Sequence, residues 1–179
     1  PISEYGRSKL QAERAVATAC GDSLVVRTNV VYSWLPGGNN FLMQVVTNLS
    51  AGRPLRVPVD QWNNPTYAPD LAGALLDLLE RRASGVFHFG GRDLLQRHAF
   101  GLRIAAAFGL DGSGLVPVTT AEMAQPAPRP LRSGLLTPRF EAVAGRFVVA
   151  AAVMQRDGWW WSDPALTDKA IKRGILREM

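Results

Sequence analysis

The sequence predicts an α/β fold, and three observations carry that expectation. Residues 3–18 have the apolar spacing of a helix. Residues 23–32, which read Ser-Leu-Val-Val-Arg-Thr-Asn-Val-Val-Tyr, are rich in β-branched side chains and nearly continuous in apolar character. That is the pattern of a strand buried in a parallel sheet. Further helices and short strands follow this first pair, as the class requires.

The elements are justified in order. The first helix places Leu10, Ala12, Ala15, Val16 and Ala19 at its apolar positions, and Gly21 supplies a stop. The strand over 23–32 ends in a loop over 33–39, broken by Pro36, Gly37 and Gly38. Asn39 or Asn40 then caps a helix through Leu49, with Phe41, Leu42, Val45, Val46 and Leu49 on its apolar face and Gly52 after it. Residues 55–59 read as a short strand in which Pro58 argues for an edge or a bulge. Residues 60–67 are polar and aromatic and read as a loop. Its side chains serve either a ligand or the loop's own backbone.

The next helix starts near Pro69, with Leu71, Ala72, Leu75, Leu78 and Leu79 as its buried stripe and Arg81 and Arg82 at its C-terminal end. Residues 85–91 form a short central strand leading to a loop, in which His88 is expected to be packed or hydrogen-bonded rather than catalytic. A helix over 96–108 ends at Gly109, and 115–118 is a brief strand. Thr119 and Glu122 have capping-box spacing. Residues 126–133 are rigid and proline-rich, so Arg129 and Arg132 are presented with little backbone freedom to a phosphate, or the segment is a lid or linker. In the tail, 147–154 is an apolar run, Trp159, Trp160 and Trp161 require burial or a partner, and Asp163 with Pro164 opens a helix.

The first helix carries the chemistry. Tyr5 and Lys9 are four residues apart, which puts them on one face about a turn from each other. A phenol is a poor acid or base at neutral pH, and a nearby cation favours its ionised form. Such a pair is suited to exchanging a proton with a carbonyl or alcohol oxygen.

Composition excludes several classes. Cys20 is the only cysteine and there are two histidines, so no internal disulfide and no metal site is expected. The net charge of +5 comes from scattered arginines with no basic-aromatic module, so a nucleic acid is not expected and an anionic nucleotide or sugar diphosphate accounts for the excess as well as a solvated surface does. No apolar run approaches the roughly 18–20 residues of a membrane span, and a cytoplasmic location is expected. The chain does not open with methionine and enters a helix almost at once, so it is expected to be an excerpt or a truncated chain.

Several stretches align in order with one family. They are Tyr5-Gly6-Arg7-Ser8-Lys9-Leu10 with Glu13; Val26-Arg27-Thr28 through Val31-Tyr32; Asn40-Phe41; and Asp60-Gln61 with Pro65-Thr66-Tyr67. Asp70-Leu71-Ala72, Gly85-Val86-Phe87-His88, and Arg129-Pro130 with Ser133 complete the set. The chain resembles the C-terminal half of the extended short-chain dehydrogenase/reductases, most closely the dTDP-4-dehydrorhamnose reductase branch. The resemblance implies the C-terminal part of a Rossmann-like parallel sheet with a small α/β substrate-binding lobe over residues 1–145, and a divergent tail over 146–179.

It also implies roles. Tyr5 would protonate the oxygen of a keto sugar, and Lys9 would lower the pKa of Tyr5 and hydrogen-bond the nicotinamide ribose. Thr28, Asn29 and Val30 would border the cofactor. Asn40, Gln61 and Thr66 would build the substrate side, and Arg129 would lie near the nucleotide diphosphate. The cofactor would be NADP or NAD, held mainly by a preceding half with the glycine-rich turn, and the substrate a nucleotide-linked 4-keto-6-deoxy sugar. Gly37-Gly38 and Gly90-Gly91 are not in a phosphate-cradling pattern, so the chain alone is expected to be inactive. Val30 stands where the branch often has Trp, and Asn63 where Gly is common. The same resemblance admits an epimerase or dehydratase, or a non-catalytic subunit like the regulatory subunit of methionine adenosyltransferase, acting as a homodimer or with a partner enzyme.

Overall fold

Ser3 sets the start of the first helix. In a computed structural model of the chain, which describes residues 1–35 and 37–145, the Ser3 hydroxyl accepts the Gly6 amide at 3.2 Å. That bond satisfies one of the N–H groups a helix start leaves open. Chain order is α1 (Glu4–Ala19), β1 (Leu24–Arg27), β2 (Val31–Tyr32), α2 (Phe41–Ser50), β3 (Leu55–Pro58), β4 (Trp62–Asn63), β5 (Thr66–Tyr67), α3 (Ala68–Glu80), β6 (Gly85–His88), β7 (Leu95–Gln96), α4 (Arg97–Ala107), β8 (Leu115–Val118) and α5 (Pro138–Ala144).

The strands associate in pairs. β1 lies parallel to β6, with Leu24 opposite Gly85 and Arg27 opposite His88. β2 lies parallel to β5, and β3 parallel to β8, with Pro58 opposite Val118. β4 and β7 are antiparallel. Parallel pairs joined through helices are the α/β arrangement the sequence predicts.

Two cores form. One joins Ala74 and Leu78 of α3, Phe87 of β6, Phe89 after it, and Phe140 and Ala144 of α5. It belongs to the sheet that β1 and β6 share. The other joins Phe41, Leu42 and Val45 of α2, Val57 of β3, Phe100 and Ile104 of α4, and Leu115 of β8, with Tyr32 and Tyr67 beside them. It is the small lobe. α1 buries none of its residues. Its Glu13 carboxylate instead takes two bonds from the Arg27 guanidinium, at 2.9 and 2.6 Å, which tie the helix to the end of β1.

The structure corrects the expected elements at four places. The single strand over 23–32 is two strands with different partners, because Val30 adopts φ 41° and turns the chain between them. The loop over 60–67 contains β4 and β5. The stripe of α3 is rotated: Gly73, Ala74, Asp77 and Leu78 face inward while Leu75 and Leu79 are exposed. α5, with Phe140 fully buried, was not anticipated from the sequence. Thr119 and Glu122 do form a reciprocal box, each backbone N–H meeting the other's side chain, but it closes a turn and not a helix. The apolar run over 147–154, the three adjacent tryptophans and the helix opened by Asp163 lie outside the described residues.

Among the described residues no helix is long and apolar enough to cross a membrane, and no group of three metal-ligating side chains occurs.

Candidate functional site

The break between β1 and β2 shapes the site. Thr28, Asn29 and Val30 occupy it and line a cleft of about 950 Å³ together with Tyr5 and Gly6 of α1 and with Arg129 and Ser133. Tyr5 is 70% exposed, so its phenol is open to a ligand entering the cleft. The Lys9 ammonium lies 5.4 Å from the centre of the Tyr5 ring. The one-turn spacing on α1 therefore holds a cation beside the phenol, as the sequence expects.

The wall is fixed from behind. The Thr66 amide donates to the Val30 carbonyl at 3.1 Å, and the Thr66 hydroxyl meets the Thr28 hydroxyl at 3.4 Å and donates to the Asn64 carbonyl at 3.1 Å. Thr66 itself is fully buried, so it shapes the wall from within. The Asn29 amide nitrogen donates to the Ser133 carbonyl, while its Oδ1 is buried with no hydrogen-bond partner.

The proline-rich segment over 126–133 lines the same cleft through Ala127, Pro128, Arg129, Pro130 and Ser133. It docks along β4: the Trp62 amide donates to the Leu131 carbonyl at 2.7 Å and the Ser133 amide to the Trp62 carbonyl at 2.9 Å. Beyond it, the Leu135 amide donates to Asn64 Oδ1 at 2.7 Å.

A smaller pocket of about 260 Å³ adjoins the cleft, and Arg129 lines both. Gln44, Arg56, Gln61, Arg97 and Gln125 supply the rest of its polar lining. Gln61 is held by a bond from its Nε2 to the Thr120 hydroxyl at 3.0 Å. Thr120 also donates its hydroxyl and its amide to Asp60, which keeps the Asp60 carboxyl below its usual range. The Arg97 guanidinium lies 4.3 Å over the Phe41 ring. Burial, and then the charge of Arg129, hold its pKa below the usual arginine value.

The structure thus gathers Tyr5, Thr28, Asn29, Val30 and Arg129 around one cleft, with Lys9 one turn behind Tyr5. Gln61 lies in the adjoining pocket. Asn40 lines neither cavity: its Oδ1 accepts the Met43 amide at 3.2 Å as the cap of α2, and its Nδ2 donates to the Ser33 carbonyl at 2.8 Å. Both ends of that amide bond the backbone and hold the entry to α2. Arg97 and Gln125 escaped the sequence reading. One signal for Arg97 was there: it is the first residue of α4, where the helix dipole disfavours a cation.

The glycine pairs are placed differently from a phosphate-cradling turn. Gly90 is buried, and a Cβ there would come within 3.1 Å of Asn64 Cβ.

The chain matches the family described as RmlD substrate binding domain over residues 1–150. It is 36% identical over 148 residues to a dTDP-4-dehydrorhamnose reductase of Mycobacterium tuberculosis, covering 81% of this chain and 47% of that protein. It is 33% identical over 148 residues to a probable low-salt glycan biosynthesis reductase, Agl14, of Haloferax volcanii, covering 81% of this chain and 49% of that protein. Its fold is similar to a crystal structure of the Bacillus anthracis dTDP-4-dehydrorhamnose reductase in complex with NADP, with a TM-score of 0.77 and 25% identity over 84% of this chain and 52% of that one. The chain spans about half the length of the curated relatives it matches.

Proposed function

Because the chain belongs to the RmlD substrate-binding domain family, we propose that it forms the substrate-facing part of an NAD(P)H-dependent reductase of a nucleotide-linked 4-keto-6-deoxy sugar. The observation that carries this reading is the cleft itself, in which an exposed Tyr5 with Lys9 beside it faces the Thr28–Val30 wall and Arg129.

The chain's own residues divide the work. Tyr5 donates its phenolic proton to the keto oxygen as that oxygen gains charge. Lys9 stabilises the phenolate left behind by its positive charge. Thr28, Asn29 and Val30 border the nicotinamide, and the free Asn29 Oδ1 accepts a donor there. Arg129 holds the diphosphate end so that the sugar reaches Tyr5, and Gln61 lines the same side. The cofactor, when bound, supplies the hydride.

The test is turnover by the complete reading frame that contains this chain. NADPH oxidation is followed with a dTDP-linked 4-keto-6-deoxy sugar, beside a Tyr5→Phe variant. Loss of the general acid is expected to lower kcat by about 10²–10⁴-fold with little change in KM. Turnover that survives in the Phe variant removes Tyr5 from the chemistry, and a wild-type protein with no turnover overturns the reductase reading.

A further inference from the structure

We propose that Ser84 is a phosphorylation site, recognised by a basic-directed serine/threonine kinase through Arg81 and Arg82 and held after modification by Arg139. Residues 81–84 read Arg-Arg-Ala-Ser, which places two guanidinium groups three and two residues ahead of a hydroxyl. A kinase groove lined with carboxylates selects its substrate by such a charge pattern. The fold leaves this segment open to one. Arg81, Arg82 and Ser84 are exposed, and Ala83 and Ser84 lie in neither helix nor strand, in the link between α3 and β6. Arg82 has no ion-pair partner among the described residues. Arg81 keeps 41% of its side chain exposed beside Asp77.

The same link provides a seat for the product. The Arg139 guanidinium of α5 crosses it: Nη2 donates to the Ser84 carbonyl at 3.1 Å, Nη1 donates to the Val86 carbonyl at 2.7 Å, and the group lies 4.3 Å over the Phe87 ring. Gly85, at φ 87°, lets the guanidinium come this close, since a Cβ there would stand 3.2 Å from Nη2. Arg139 is thus fixed in plane next to Ser84, with further N–H groups beyond the two in use. In the modifying step the Ser84 Oγ attacks the γ-phosphorus of a nucleoside triphosphate and its proton passes to the kinase's base. The bond to the bridging oxygen breaks, and the nucleoside diphosphate leaves. A phosphate set among arginines forms charge-assisted hydrogen bonds with them. Asp22 is the acidic residue on the approach to β1, where the Ser23 carbonyl accepts the Gly85 amide at 2.8 Å; Arg81, Arg82 and Arg139 outnumber it. Leu24 lies opposite Gly85 and Arg27 opposite His88, so Ser84 stands at the end of the β1–β6 pair away from Thr28 and the cleft. The modification is therefore independent of the reductase reading and bears on how α5 is held to β6.

Incubation of the folded full chain with ATP and the catalytic subunit of the cyclic-AMP-dependent protein kinase, a basic-directed enzyme, tests the assignment. The modified residue is located by fragmentation mass spectrometry. One phosphoryl group on Ser84 is expected, and Ser84→Ala should remove it. Arg81→Gln combined with Arg82→Asn should lower the initial rate by about ten-fold or more. Asn is chosen at position 82 because Arg82 has φ 50°, which Asn tolerates. Where the double variant does not fold, Arg82→Asn alone carries the measurement and should still slow the reaction. Phosphorylated wild type is expected to melt about 2–4 °C above its unmodified form. Arg139→Gln should lose that difference, each protein being compared with its own unmodified form. A folded chain that takes up no phosphoryl group on Ser84, or takes it up as fast without the two arginines, overturns the site. A phosphorylated chain that melts no higher than the unmodified one, or a rise that persists in Arg139→Gln, overturns the role of Arg139.

Discussion

Val30 is β-branched and yet sits at φ 41°. That region crowds the Cβ of an L-residue against the following carbonyl and costs roughly 1–2 kcal/mol. The Thr66 amide, bonded to the Val30 carbonyl, helps hold it there, and the result is the wall of the cleft. Asn tolerates this conformation better than a branched residue. Val30→Asn is therefore expected to raise the unfolding free energy by about 1 kcal/mol, read by urea denaturation with the slope unchanged. A variant no more stable than wild type would show the strain to be absent. The sequence could not reveal the position, because Val between Asn and Val signals extended strand and only the Thr66 bond selects the turn. Tyr5 and Lys9 are the opposite case. Their encounter follows from helical spacing within one element, so it was legible from the chain.

At the scale of elements, a pair of side chains ties α1 to the end of β1. The helix buries none of its residues, and Glu13 meets Arg27 from the end of β1. The bonds from Arg27 hold the Glu13 carboxyl below its ordinary value of 4.5. A lowered folded-state pKa contributes stability above the ordinary value and loses it as pH falls through the folded-state value. The pair is partly exposed, 44% at Arg27 and 22% at Glu13, so screening keeps its contribution to roughly 1 kcal/mol or less. The docking of α1 is therefore expected to loosen as pH falls below about 4.5, read by amide hydrogen exchange along Glu4–Ala19. Glu13→Gln should show that looser state at neutral pH and remove the acid dependence. Exchange on α1 that ignores both pH and Glu13→Gln would mean the pair does not hold the helix. The longer helices were legible because apolar period and caps are local. β4 and β5 are two residues each, too short for any period, and α5 was missed because its seven residues carry too little pattern to distinguish them from a loop.

At the scale of the molecule, Asn64 joins parts that the sequence keeps far apart. It is 4% exposed. Its Nδ2 donates to the Gly91 carbonyl at 2.8 Å, in the segment after β6, and its Oδ1 accepts the Leu135 amide at 2.7 Å, beyond the proline-rich segment. One amide thus fastens both the segment after β6 and the chain that leaves the proline-rich segment to the stretch between β4 and β5. Asn64→Ala leaves a carbonyl and an N–H without their partner, and each costs about 1–3 kcal/mol when buried. The variant is expected to lose at least about 2 kcal/mol of stability and to expose residues 126–133 to limited proteolysis. Full stability with an intact segment would show the two bonds to be replaceable by water.

The sequence by itself determined the α/β class, the longer helices with Asn40 among the caps offered for α2, the Tyr5–Lys9 pair and the ordered motifs of the family. All of these rest on relations between residues close in the chain, or on residue types read one at a time. Only the tertiary structure decided where residues 23–32 break, which face of α3 is buried, and that the proline-rich segment lines the cleft beside Thr28, Asn29 and Val30. It alone brought Arg97, at the start of a helix, against Phe41 and beside Arg129. Those outcomes depend on hydrogen bonds and packing between residues distant in the chain, such as Thr66 with Val30 and Asn64 with Leu135. No local propensity encodes partners of that kind.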